Sequence, residues 1–198
     1  MKPFARLFAL FAALALSACG LNSVPTAEEA AKARWADVQN EYQRRSDLIP
    51  NLVATVKGYA AQEERVLTQV TQARARAGQV VVTPDQLNDP AALRRFEQAQ
   101  GALSAALINM RNITEAYPDL KSNANFLALQ AQLEGTENRI SVARRDYNEA
   151  VQAYNTRIRT FPDAIGAKIF HGAKPMVPFQ AAESAATPPT VSFDEKNK

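Results

Sequence analysis

Phe126, Leu133, Ile140, Tyr147, Tyr154 and Phe161 recur at every seventh position through the second half of this 198-residue chain. Seven residues are close to two turns of α-helix, so these side chains form one apolar stripe that must be covered along its length. Ala143, Ala150, Val151 and Ile158 flank the stripe. The pattern predicts an amphipathic helix of six turns or more, weakened by Gly135 at a cost of about 1 kcal/mol and ended by Phe161-Pro162. A short amphipathic piece, Asp163 to Phe170, follows it.

The first half carries a second heptad. One set is Trp35, Tyr42, Ile49, Val56, Glu63, Val70 and Ala77, and its companion is Val38, Arg45, Leu52, Tyr59, Val66 and Ala73. Pro50 falls inside this pattern. A helix interior tolerates proline at about 3 kcal/mol, and a loop there would reset the phase, so the spacing favours one kinked helix from Ala27 to Arg76 over two helices with Asp47 as a cap. At about 1.5 Å per residue such a helix is roughly 75 Å long. Gly78 stops it, and residues 79–89 form a connection punctuated by Pro84 and Pro90. Asp89-Pro90 reads as an N-cap with proline at the first helical position. The helix that follows presents Leu93, Phe96, Gln100, Leu103, Leu107, Met110, Thr114 and Tyr117 at spacings of three and four, with Ala99, Ala102, Ala105 and Ala106 permitting close approach of a partner. Tyr117-Pro118 ends it. No strand pair is evident, so the fold class is all-α: an elongated antiparallel bundle of long helices.

The N-terminus reads as an address. Lys2 and Arg6 precede a wholly apolar run, Leu7 to Leu16, which is shorter than the roughly 20 residues a membrane span needs but suits a signal peptide. The run leads into Leu16-Ser17-Ala18-Cys19, and Cys19 is the chain's single cysteine. This resembles a bacterial lipobox: residues 1–18 as a lipoprotein signal peptide, Cys19 as the lipidated N-terminus, and residues 19–26 as a linker whose Pro25-Thr26 starts the first helix. Gly20, not aspartate, follows the cysteine, which by resemblance to other lipoproteins points to the periplasmic face of the outer membrane. Removing Lys2 and Arg6 with the leader takes the formal net charge from +3 to +1. Charges so balanced and interspersed leave no electrostatic footprint for nucleic acid, and with no second cysteine the domain must be held by packing. From residue 171 to 198 the chain is rich in Pro, Ala, Ser and Thr, the composition of an extended or disordered tail, which Val191 and Phe193 dock locally at most.

Few constellations here suggest chemistry. Arg45 and Glu63 interrupt the apolar stripe of the first half, and Glu137 and Arg144 lie on the face between Gln130 and Val151. Long antiparallel helices would let them pair as register-fixing ions, since an unpaired buried charge is expensive; the competing reading is that they snorkel to the rim. Asn51 joins the same candidate polar network. Tyr147-Asn148 and Tyr154-Asn155 repeat one heptad apart: rings to bury, hydroxyls that need partners, and amides able to hydrogen-bond between helices. Glu134 and Glu137, three apart, are the usual spacing of a solvated helix face, and a metal site would normally recruit histidine or cysteine as well. His171 is the sole histidine, so a histidine-based triad has only that residue to draw on. No phosphate-binding glycine loop is present. The expectation is therefore no catalytic residue, no metal site and no small-molecule cofactor.

Three segments carry a family resemblance: Asn40-Glu41-Tyr42-Gln43-Arg44-Arg45 with Asp47-Leu48-Ile49-Pro50-Asn51-Leu52-Val53; Thr55-Val56-Lys57-Gly58-Tyr59; and Leu133-Glu134-Gly135-Thr136-Glu137-Asn138-Arg139-Ile140 with the two Tyr-Asn pairs. Together with Tyr117-Pro118 and Phe161-Pro162, they resemble the LemA family over roughly residues 28–179. The resemblance implies a four-helix type of bundle, spanning residues 27–170, tethered to a bacterial membrane, here by lipid at Cys19 where the family usually has a hydrophobic segment. It implies no established reaction. The resulting expectation is an envelope lipoprotein that binds or scaffolds other envelope proteins. The alternatives are an enzyme or accessory subunit acting on cell-wall or envelope substrates, and a cell-wall binding module.

Overall fold

The computed structural model describes residues 2–180, with side chains described from Asn22 onward. Helix α1 runs from Lys2 to Tyr59, α2 from Glu64 to Gln79, α3 from Pro90 to Thr114, α4 from Pro118 to Lys121, α5 from Ala124 to Arg157 and α6 from Asp163 to Ile169, with a 3-10 turn at Pro84–Gln86 before α3. Among the described residues there is no strand. The chain is all-α, as its heptads require.

The helix expected from Ala27 to Arg76 is corrected. Helix α1 does continue through Pro50, but it ends at Tyr59, and α2 folds back along it. The break falls where Gly58 lowers helix propensity and where Ala60 to Glu63 form a turn in which the Glu63 N–H donates to the Ala60 carbonyl. This four-residue turn is nearly one helical turn long, so the heptad count survives the reversal: Val56 before it and Val70 after it are both buried. An unbroken phase therefore does not require an unbroken helix. The expected linker ending at Pro25-Thr26 is also corrected, because residues 22–26 are already helical and Val24 is fully buried. Cys19 and the side chains of the apolar run lie outside the described residues.

Helices α1, α2, α3 and α5 form an up–down–up–down four-helix bundle. The antiparallel register is fixed by Arg74 against Ser46 between α2 and α1, by Arg144 against Glu97 between α5 and α3, and by Arg139 against Glu41 between α5 and α1. Two caps expected or permitted by the sequence are in place: Asp89 accepts from the Ala91 N–H at 2.8 Å, and Asn123 accepts from the Phe126 N–H at 3.0 Å. Each satisfies one of the donors a helix N-terminus leaves over.

Helices α1 and α5 outrun the other two, so the bundle has two apolar cores. The first gathers Ile49, Leu52, Val56, Leu67, Val70, Leu103, Met110 and Phe126 near the α1–α2 turn. The second is centred on Trp35, with Val38, Phe96, Ile140, Tyr147, Val151 and Tyr154. In this second half α2 and most of α3 do not reach the remaining flank of α1 and α5. The connection at residues 80–89, the helix α6 and an extended strap at residues 173–180 cover it instead. Trp35 Nε1 donates to the Val82 carbonyl at 3.0 Å, pinning the connection down. The Trp35 ring lies 5.3 Å from Phe96, 5.4 Å from Tyr147 and 5.7 Å from Phe179 between centroids.

The strap corrects the expected tail. Residues 173–180 are extended, but Met176 and Phe179 are buried members of the core. Residues 181–198, including Val191 and Phe193, lie outside the described residues. Phe161, the last member of the long stripe, is also corrected: α5 ends at Arg157, before the stripe reaches it, and its ring faces solvent.

Candidate functional site

The two cores meet at Arg45, whose side chain is almost entirely buried. Its guanidinium reaches from α1 across the bundle: Nη1 donates to Glu137 Oε1 on α5 at 2.7 Å and to Ser104 Oγ on α3 at 2.8 Å, and Nη2 donates to Gln100 Oε1 at 2.7 Å. It also stacks over the Tyr42 ring at 5.0 Å. Only its Nε lacks a partner. Because Glu137 is half-exposed, water offsets part of the desolvation that a fully buried pair would suffer. The planar fork of arginine fits this three-way contact, whereas a lysine would supply a point charge.

Not every charge on the stripes belongs to this cluster. Glu63 stands at the α1–α2 turn and accepts from the Tyr117 hydroxyl at 2.8 Å, and that hydrogen bond, foremost, raises the tyrosine pKa. Arg144 pairs with Glu97 at 3.3 Å, donates to the Gln180 carbonyl and lies over the Phe179 ring at 4.5 Å. Asn51 is exposed on α1, away from Arg45, because position 51 turns to solvent when Leu52 turns inward. The expected single network is thus divided: Arg45 and Glu137 in the seam, Arg144 on the strap, Glu63 at the turn and Asn51 outside.

The two Tyr-Asn pairs grip the strap. Asn155 Nδ2 donates to the Met176 carbonyl at 2.8 Å while its Oδ1 accepts from the Met176 N–H at 2.9 Å. Asn148 does the same with Phe179, at 3.1 and 2.8 Å. Between them, the Tyr154 hydroxyl donates to the Lys174 carbonyl and the Tyr147 hydroxyl to the Val177 carbonyl. The spacing has a geometric cause. One heptad of α-helix advances about 10.5 Å, and three residues of extended chain advance roughly 9–10 Å, so helical pairs seven apart meet strap residues three apart. Pro175 and Pro178 fall where no N–H is called for, and the Val177 N–H is taken by the Leu87 carbonyl at 2.8 Å. Burial raises the pKa of the Tyr147 and Tyr154 hydroxyls above the usual phenol range.

An apolar concavity lies between α3 and α5, which splay apart beyond the Arg45 seam. It is a cleft of about 240 Å³ with Leu52 as its floor, Leu107, Met110, Phe126 and Leu133 as its walls, and Arg111 and Glu134 on opposite lips. Ile108 on its edge is half-exposed. Glu134 accepts from Gln130 and Glu137 is engaged by Arg45, so neither acid stands poised opposite a base. Among the described residues no cluster of three or more histidine, cysteine, aspartate or glutamate side chains is arranged to hold a metal. The sequence named Leu52, Leu107, Met110, Phe126 and Leu133 of the cleft as stripe positions. It did not show that the stripes diverge there, which depends on the helix crossing.

Comparison with known proteins agrees with the motifs. The chain is 26% identical over 157 residues to magnetosome protein MamQ 2 of Paramagnetospirillum magneticum, covering 71% of this chain and 58% of that one. The same identity and coverage hold for magnetosome protein MamQ of Magnetospirillum gryphiswaldense. Protein LemA of Metamycoplasma hominis is 25% identical over 124 residues, 63% of this chain and 52% of the relative. The chain thus spans just over half the length of the curated relatives it matches. A family model described as LemA family matches residues 34–193, which take in the Arg45 seam, the cleft and the strap; the chain belongs to the LemA family.

Proposed function

We propose that this protein is a lipid-tethered docking module of the bacterial envelope, which binds an amphipathic helical segment of another envelope protein in the α3–α5 cleft and performs no chemistry of its own. The observation that carries this reading is the lining of the cleft. Leu52, Leu107, Met110, Phe126 and Leu133 present carbon to an opening between two antiparallel helices, the setting in which a partner helix buries an apolar face. Arg111 on one lip and Glu134 on the other set the orientation of a partner carrying complementary charges.

The tether is the lipobox cysteine, Cys19. Two lipid signals hold a protein stably where one chain is marginal, and confinement to a surface raises the effective concentration of partner and module. Gly20 after Cys19 supports the periplasmic face of the outer membrane. Palmitate labelling tests the tether: the wild type incorporates label and Cys19→Ser does not. An unlabelled wild type contradicts it. The docking claim is tested by Ile108→Glu, which places a charge at the cleft's edge without disturbing the core. It abolishes partner capture while the helical circular dichroism and the unfolding midpoint stay at wild-type values. Undiminished capture contradicts the cleft as the docking site.

A further inference from the structure

Helix α6 is inside out. Its buried residue, Ala167, packs in the Trp35 core, while Ile165 and Ile169, one helical turn apart and on the opposite side, are 53% and 69% exposed. Phe161, four residues before Ile165, is 83% exposed, and Phe170 is 67% exposed. These four are among the most exposed large apolar side chains of the described residues, and they occupy one short segment. Arg157, Arg159 and Lys168 are exposed around them, and the Asp163 carboxylate lies 3.9 Å from Arg157.

The position of this patch indicates what covers it. The pairs Glu41–Arg139 and Arg45–Glu137 fix the antiparallel register of α1 and α5. Carried to the end of α5, that register sets Arg157 level with Val24 and the turn at Phe161 about one helical turn nearer the N-terminus. Val24 is fully buried, so the packed bundle extends to within five residues of Cys19. Five residues reach about 7.5 Å as helix and roughly 17 Å fully extended. The bundle is therefore held against whatever Cys19 is attached to, with α6 at that end.

We infer that Phe161, Ile165, Ile169 and Phe170 form a membrane-contact surface, which seats apolar side chains at the headgroup–acyl boundary while Arg157, Arg159 and Lys168 meet anionic lipid headgroups. This rests on the reading that the N-terminus is tethered to a bilayer, and it adds a second attachment point that sets the bundle's orientation. The far end, with the α1–α2 turn and the cleft, then projects away from the lipid.

The test uses the full-length chain carrying Cys19→Ser, with a single cysteine introduced by Ile165→Cys or, at the opposite end, by Gln62→Cys, each labelled with an environment-sensitive fluorophore. The probe is vesicles of equal parts phosphatidylcholine and phosphatidylglycerol. The expected result is a blue shift and protection from an aqueous quencher at position 165 and neither at position 62, with the shift reduced by adding Arg159→Glu and Lys168→Glu. A chain that floats with the vesicles while position 165 remains as water-exposed as position 62 overturns the inference. So does a concentration-dependent shift at 165 without vesicles, which would make the patch an interface between copies, and so does a chain that does not float. Failure of the tether itself shows separately, as wild-type protein without palmitate label.

Discussion

Pro50 and Arg74 are coupled through one carbonyl. Proline at position 50 has no N–H to return to Ser46, four residues earlier in α1, and Arg74 of α2 donates its Nε to that Ser46 oxygen at 2.9 Å. The break in the α1 ladder becomes the point at which the hairpin is fastened. Arg74→Ala is expected to cost about 1–2 kcal/mol in the native chain and much less in a Pro50→Ala background, where the substituted residue supplies the missing N–H. Urea unfolding of the four proteins of this double-mutant cycle checks the coupling; equal costs in both backgrounds would show that Arg74 does not act through Pro50.

The Arg45 seam makes an asymmetric prediction. Arg45→Ala leaves a cavity, an unpartnered Gln100 side chain and an unpaired Glu137, and is expected to cost about 3–5 kcal/mol. Glu137→Gln is expected to cost only about 1 kcal/mol, because Glu137 is half-exposed and glutamine still accepts a hydrogen bond. Arg45→Lys, though it keeps the charge, loses the fork that reaches Gln100, Ser104 and Glu137 together, so its midpoint falls nearer that of the alanine variant than that of the wild type. Denaturant midpoints for the three variants distinguish these ranks.

The strap should loosen one rung at a time. Asn155→Ala removes both hydrogen bonds to Met176, and Asn148→Ala both to Phe179, each change leaving a backbone donor and acceptor without partners at about 2 kcal/mol. Amide hydrogen exchange reads this locally: Met176 loses protection in the first variant and Phe179 in the second, while Ile49 and Val56 in the other core stay protected. Loss of protection throughout the bundle would mean that the strap is needed to form the fold.

Alkaline pH should weaken the bundle through its buried tyrosines. Burial raises the folded-state pKa of Tyr42, Tyr147 and Tyr154 above the ordinary phenol value of about 10. The folded state therefore holds protons that the unfolded state gives up. This contribution is fully present below the unfolded pKa and is lost as pH rises above about 10 toward the folded values. In a spectrophotometric titration these hydroxyls ionise only as the helical signal is lost, and Tyr147→Phe lessens the alkaline loss of stability. Ionisation of all five tyrosines with the helices intact would contradict the burial.

Period seven made much of the architecture legible, because each helix buries one stripe and the stripe is written in residue type. Trp35, Tyr42, Ile49, Leu93, Phe96, Ile140 and Tyr147 all lie where their spacing put them, in the core. The α1–α2 reversal was hidden because its turn is nearly one helical turn long and preserves the count. The strap was hidden because its burial depends on residues some 20–30 positions away; the signal lay in two proline-spaced residues, Met176 and Phe179, matching two Tyr-Asn pairs one heptad apart. Arg45 was visible as a charge out of place, but its partners on α3, Gln100 and Ser104, follow only from how three helices meet.

The docking claim is most directly tested by photo-crosslinking in the living cell, with a photoreactive residue at Ile108 on the edge of the cleft and, as control, at Val142, which is similarly exposed on α5 outside it. The account predicts a discrete adduct with an envelope protein from position 108, absent from position 142 and lost when Leu107→Glu is added. No adduct from position 108 under several growth conditions, or the same adducts from both positions, would contradict it.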